Sequence, residues 1–327
     1  MNRRLMKFFA YPLILMFIVA KRGKVGGQAI IEGVMMRGKD NVSWAVRKNS
    51  DDVVVERNEF ISICRKYKIL SKPVLRGAVS LVESLTVGYK ALMRSAEIIE
   101  EEQRAAQQSE SGETASKKRN PTGEKIASGI SITVSLVIAF GVFMYLPMWI
   151  FSRLVPDDSA LLFNTLYGSL RIVFFLAYLI MISFWKEIRR VFEYHGAEHM
   201  AIYAYEAGKE LTVENMRRFT TLHPRCGTSF LLLVGIVCIL LFAVVDALFI
   251  RFFGPYPVVL ARFGVHILLI PLVSGISYEV LKLSDRFQNI PVVNLLIKPG
   301  LLLQKITTKE PDDTQLAVAA KALEAAL

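Results

Sequence analysis

Four apolar segments constrain this fold more than anything else in the chain. Residues 126–151, 161–185, 228–250 and 258–281 each approach or exceed the length a helix needs to cross the hydrocarbon core of a bilayer. A backbone in lipid must satisfy its own N–H and C=O groups, so such segments read as a helical bundle. The composition agrees, because 53% of the 327 residues are hydrophobic, more than an ordinary soluble domain carries. The predicted fold class is therefore an α-helical integral membrane protein of about four transmembrane helices, with a small cytoplasmic α+β N-terminal domain.

Charge sets the expected orientation. Lys186, Arg189, Arg190, Arg217 and Arg218 lie between the second and third spans, whereas the first connection carries Asp157 and Asp158. Lys282, Arg286, Lys298 and Lys305 follow the fourth span. By the positive-inside rule the N-terminal domain, the 186–227 loop and the C-terminus are expected on the cytoplasmic side. Residues 8–20 are apolar but short for a span, and Lys21-Arg22-Gly23-Lys24 stands where a cleavage site would be, so residues 1–22 read as an interfacial segment or anchor. The net charge of +11 points to anionic lipid headgroups and not to nucleic acid, since the basic residues flank apolar segments without interleaved stacking aromatics. Three cysteines, Cys64, Cys226 and Cys238, make no disulfide framework.

The remaining pattern divides the chain. Residues 23–102 read as the α+β domain, with β-rich runs at 29–36, 42–46 and 53–56. A helix follows over 72–102, with Val79, Val82, Leu85, Tyr89, Leu92 and Ala96 on one stripe. Residues 103–124 are polar and read as a flexible linker. Residues 125–285 form the bundle, with the 186–227 loop between its second and third spans. Residues 286–327 read as a C-terminal tail with a short helix capped by Asp312 or Asp313.

The 186–227 loop holds the candidate chemistry. His195-Gly196-Ala197-Glu198-His199 is an H-x-x-E-H pattern, which puts both imidazoles and the carboxylate on one side of a helix. His223 and Cys226 follow beside the turn formers Pro224 and Gly227. Imidazole and thiolate are ligands for a divalent transition metal, zinc first among them. In a catalytic site three of His195, His199, His223 and Cys226 bind the metal and Glu198 is the base. In a structural site all four close the sphere. In a metal-free site the residues form a polar network. Glu206, Glu210 and Glu214 are further carboxylate ligands within reach of the motif. Tyr194, Tyr203 and Tyr205 surround it and read as helix packing. Arg225 is a candidate clamp for phosphate or carboxylate, or a contact to a lipid headgroup. His266 and Arg262, four apart in the last span, are ionisable groups where burial is costly; Arg262 is near enough to the exterior end to snorkel, and Glu279 lies near the cytoplasmic end. The glycine-rich stretch 26–38 is no phosphate loop, and its Glu32 and Arg37 either reach the site or form an ion pair.

The 26–38 stretch, Lys72-Pro73-Val74-Leu75-Arg76-Gly77, Leu81-Val82-Glu83-Ser84-Leu85, and residues 194–199, 222–230 and 306–313 together resemble the YqhQ-like bacterial membrane proteins. That family of unknown function is described as metal-dependent enzymes. The resemblance implies a multi-pass protein of the bacterial inner (plasma) membrane and names no substrate. Three functions follow as expectations. The first is a metal-dependent hydrolase at the cytoplasmic membrane face. The second is a non-enzymatic membrane partner, for instance of the translocon or insertion machinery, with a structural His/Cys cluster. A transporter is disfavoured, because the spans lack paired acidic residues and inverted repeats.

Overall fold

The computed structural model describes residues 25–48, 52–111, 121–155, 159–287 and 290–327; the expected anchor at residues 8–20 lies outside them. A four-stranded antiparallel sheet comes first, in the order β1 (Gly26–Ile30), β2 (Gly33–Arg37), β3 (Asn41–Arg47), β4 (Val53–Glu59). The run 29–36, read from sequence as one strand, breaks into a hairpin at Ile31-Glu32, with Ile30 opposite Gly33. Glu32 takes a φ of 49°, a left-handed conformation unfavourable by roughly 1–2 kcal/mol for a residue with a Cβ. Arg190 grips its carboxylate with Nε and Nη2, both at 2.5 Å, and so holds the turn.

The longer helices of the described residues are α1 (Leu75–Ser111), α2 (Pro121–Phe140, continued through a π turn at Gly141–Tyr145 into Leu146–Phe151), α3 (Ala160–Ile182), α4 (Lys186–Glu206), α5 (Gly227–Phe253), α6 (Val259–Leu268), α7 (Ile270–Arg286), α8 (Pro291–Thr307) and α9 (Asp313–Ala326). Strand alternation sorts the sheet's two faces. Val34, Met36 and Ala45 pack on α4 and α9, while Met35, Trp44 and Val46 pack with Ala91 and Ile98 of α1. The sheet is thus a middle layer. Asp312 caps α9 in a reciprocal capping box with Gln315, and the helix buries Leu316, Ala319, Leu323 and Ala326 in that core. The last segment of the chain therefore completes a core begun by the first strands.

Gly129–Phe151, α3 and α5 are long and apolar enough to cross a membrane. Among the described residues a fourth candidate is present only if α6 and α7 count as one span, because they meet at a 46° bend. Pro271 at the start of α7 removes an N–H donor and explains the break.

α1 differs from its sequence reading in two ways. It packs through a narrow face of Gly77, Gly88, Ala91, Ser95 and Ile98, while Val82 and Leu85 of the expected apolar stripe are 60% and 64% exposed. It also runs on to Ser111, so residues 103–111 are helical where a linker was expected; Ala, Gln and Glu favour helix there, and Arg104 pairs with Glu100 one turn back.

Arg262 does not snorkel. It and His266 turn onto Asp246 of α5, an acid that the search for paired acidic residues passed over. Arg262 Nε donates to Asp246 at 2.8 Å, His266 Nε2 lies at 3.0 Å, and Asn164 Nδ2 and Tyr256 Oη donate at 2.8 and 3.0 Å. Phe242 stacks on His266 at 4.0 Å, and Arg262 lies 3.4 Å over Phe163. Replacing Asp246 with Ala strands a guanidinium and an imidazole inside the bundle. The expected loss is about 3–5 kcal/mol, read as a large fall in Tm in detergent. Replacing Asp246, Arg262 and His266 together by apolar residues of similar volume should recover most of it.

Candidate metal centre

α4 carries its charges on one side and small residues on the other. Ala197, Ala201 and Ala204 are fully buried and let the helix sit close to the sheet and α9. That approach sinks the His195–His199 turn below the surface, with His199 1% and Glu198 5% exposed.

The two imidazoles are oriented by backbone carbonyls. His195 Nδ1 donates to Thr307 O at 2.8 Å, and His199 Nδ1 donates to Thr221 O at 2.5 Å. A carbonyl oxygen only accepts, so Nδ1 carries the proton in both rings and each Nε2 keeps its lone pair. His195 Nε2 lies 3.1 Å from Cys226 Sγ. Among the described residues, His195, His199 and Cys226 each bring one donor atom within 4.8 Å of the others. Cys226 is the N-cap of α5, and its sulfur also takes the N–H of Thr228 at 3.5 Å. Burial pushes the His199 imidazole towards its neutral, ligating form, opposed by the neighbouring Cys226.

His223 is beside this set and not in it. Gln304 of α8 brackets its backbone, accepting from His223 N and donating to His223 O, both at 2.7 Å. Its ring lies tilted against Tyr203 with centroids 4.6 Å apart, Nδ1 accepts from the Arg225 N–H at 3.3 Å, and Nε2 is 3.8 Å from Glu206. Arg225 pairs with that same Glu206. Glu206 therefore serves the His223–Arg225 turn.

Glu198 points at the sheet. A Cβ on Gly27 of β1 would stand 2.8 Å from Glu198 Cγ and Oε1, and equally close to Met35 O. Only glycine lets the carboxylate reach the strand, where the Gly27 N–H binds it. Burial pushes the Glu198 carboxyl up, and His195, His223 and the Gly27 N–H oppose that shift.

The other candidates are elsewhere. Glu32 is held by Arg190, and Tyr194 Oη lies 3.4 Å from it. Arg37 binds Glu83 at 3.0 Å and lies 4.0 Å over Phe60. Glu279 pairs with Arg76. His266 stands about 30 Å along α5 from Cys226. The sequence reading did not find Gly27, Thr221 or Thr307, because each acts through its backbone.

Residues 72–327 match the family described as protein of unknown function (DUF1385). The chain belongs to that family. It is 34% identical over 309 residues to an uncharacterized protein, YqhQ, of Bacillus subtilis (strain 168), across 90% of this chain and 89% of that protein. No solved structure matches it. The DUF1385 region includes both histidines, Glu198, Cys226 and the two carbonyl acceptors; Gly27 lies ahead of it.

The Gly27–Glu198 contact gives a direct test. Gly27→Ala should destabilise the protein by about 1–3 kcal/mol, because Met35 O is backbone and has to shift. Gly27→Ala with Glu198→Ala removes the carboxylate half of the clash only, so thermal unfolding should show partial recovery. Full stability in the single variant would contradict the contact.

Proposed function

We propose that this chain is a multi-pass membrane protein with a metal-dependent enzymatic centre, of hydrolase type, at the cytoplasmic face. Three apolar helices, a bent fourth pair and a basic 186–227 segment support the membrane reading. One observation carries the metal reading: both Nδ1 atoms are committed to backbone carbonyls, which turns both Nε2 lone pairs towards the Cys226 sulfur. Carbonyl-anchored imidazoles are how metal-ligating histidines are usually fixed.

The donor set of two nitrogens and one thiolate fits a zinc-like ion. His195, His199 and Cys226 would hold it, and when bound it supplies Lewis acidity. Glu198 handles the proton at its Oε atoms: it adjoins His199 in sequence, and the Gly27 N–H fixes it. Arg225, next to Cys226, offers a guanidinium to an anionic substrate group.

Burial favours a second reading. His199 and Cys226 are 1% and 6% exposed, as in a closed structural centre pinning α4 to α5 and the end of α8. Elemental analysis of detergent-purified wild type and His195→Ala/His199→Ala separates metal from no metal. About one transition-metal ion per chain, lost in the double variant, is expected; a metal-free wild type grown with metal and prepared without chelator sinks both readings. Glu198→Gln then separates the two. The enzymatic reading expects metal content and Tm to persist while the variant fails to complement a deletion strain. If it complements fully and His199→Ala unfolds instead, the centre is structural.

A further inference from the structure

A cleft of about 520 Å³ opens between β1, β2, α1 and α7. Its walls carry three cations, Arg37, Arg225 and Lys282, with the hydroxyls of Ser80 and Ser84, and among the described residues no carboxylate lines it. Glu83 and Glu206, which bind Arg37 and Arg225, are not part of the lining. Gly26 keeps the wall bare, since a Cβ there meets nothing within 4 Å.

The cleft stands where α7 leaves the apolar zone. Below it α1 and α7 touch backbone to backbone, a Cβ on Gly77 lying 2.9 Å from Gly275 Cα. Tyr278, Leu281 and Lys282, at the polar end of the bent fourth pair, form one wall. Beside the foot of α1, Ile61, Ile63 and Ile69 are exposed and interleaved with Arg65, Lys66 and Lys68. Exposed isoleucines among cations suit a surface lying on anionic lipid. Two wall residues also join the cleft to the metal centre. Gly27 touches Glu198, and Arg225 precedes Cys226.

We infer that this cleft binds the phosphoryl group of an anionic lipid headgroup and that such a lipid is the substrate class of the centre beside it. The second half rests on the enzymatic reading above; the binding half does not. Arginine and lysine with hydroxyl donors match a phosphoryl anion, and the position at the end of a span selects one carried by a lipid.

The test is native mass spectrometry of the full-length protein in detergent, titrated with phosphatidylglycerol, phosphatidylcholine and glycerol 3-phosphate. Phosphatidylglycerol should bind tighter than phosphatidylcholine. Lys282→Glu, at an exposed position, should weaken it about tenfold. Gly26→Leu, which fills the cleft, should weaken it at least as much, with thermal unfolding of both variants as the fold control. If glycerol 3-phosphate binds as well and with the same sensitivity, the site stands but a soluble phosphoester is its ligand. Equal binding of the two lipids, or binding that neither variant alters while both fold, overturns the proposal. The metal content of the wild type, measured on the same preparation, tells the two readings apart. Retained phosphatidylglycerol binding with no metal in the wild type leaves the cleft standing without the enzyme, and bound metal without lipid selectivity leaves the reverse.

Discussion

The hydrogen bonds from His195 and His199 to the carbonyls of Thr307 and Thr221 tie two distant pieces of chain to one helix face. α4 lies at the centre of the polar part, touching the sheet, α9 and the 220–226 turn. Its small residues permit the approach, and its imidazoles find acceptors only because that approach is complete. Each acceptor is a buried or half-buried backbone group, and leaving a buried partner unmade costs about 1–3 kcal/mol. The centre and the packing therefore stand or fall together, and whatever binds at Cys226 acts on an arrangement already set.

α5 carries a polar centre at each end, and the two differ in kind. At Asp246 a buried carboxylate meets a guanidinium, an imidazole, an amide and a phenol, so its acceptor capacity is taken up inside the bundle. At Cys226 the two Nδ1 atoms donate to backbone carbonyls, which leaves both Nε2 atoms converging beside a sulfur. The ion-pair cluster on Asp246 fixes how α3, α5 and α6 pack. Imidazole nitrogens converging beside a sulfur are what the proposed metal requires, and on that proposal the two ends of the helix divide chemistry from cohesion.

Some of this was legible in the sequence for physical reasons. Helical spacing put His195, Glu198 and His199 on one side, and hydropathy located the apolar helices. Pro271, inside the fourth segment, was the visible sign of its bend. His223 looked equivalent to Cys226 because only spacing was visible; the brackets that turn it to Tyr203 come from Gln304 on α8. Glu198 finds its partner at Gly27, where the relevant property is a missing Cβ. α9 showed its Asp312 cap but not its destination, since an Ala-rich helix buried between the sheet and α4 has no strongly polar face to give it direction. Asp246 escaped notice as a single acid in a long apolar helix, because its partners are on other helices.

α1 shows how an apolar pattern misleads when small residues compete with it. Gly77, Gly88 and Ala91 allow backbones and short side chains to come within contact distance, and that close approach takes the interior face. The larger stripe of Val82, Leu85, Tyr89 and Leu92 is then left outward. Around its foot lie exposed isoleucines and a run of cations. A contiguous exposed apolar strip is unfavourable in water and marks a surface with an apolar neighbour. α7 anchors the same end of α1 through Gly275, so on the proposed membrane reading that neighbour is the lipid around the apolar helices. On the membrane reading proposed above, the sheet and α4 would be held at the bilayer surface, where a cleft walled by Arg37, Arg225 and Lys282 would meet headgroups.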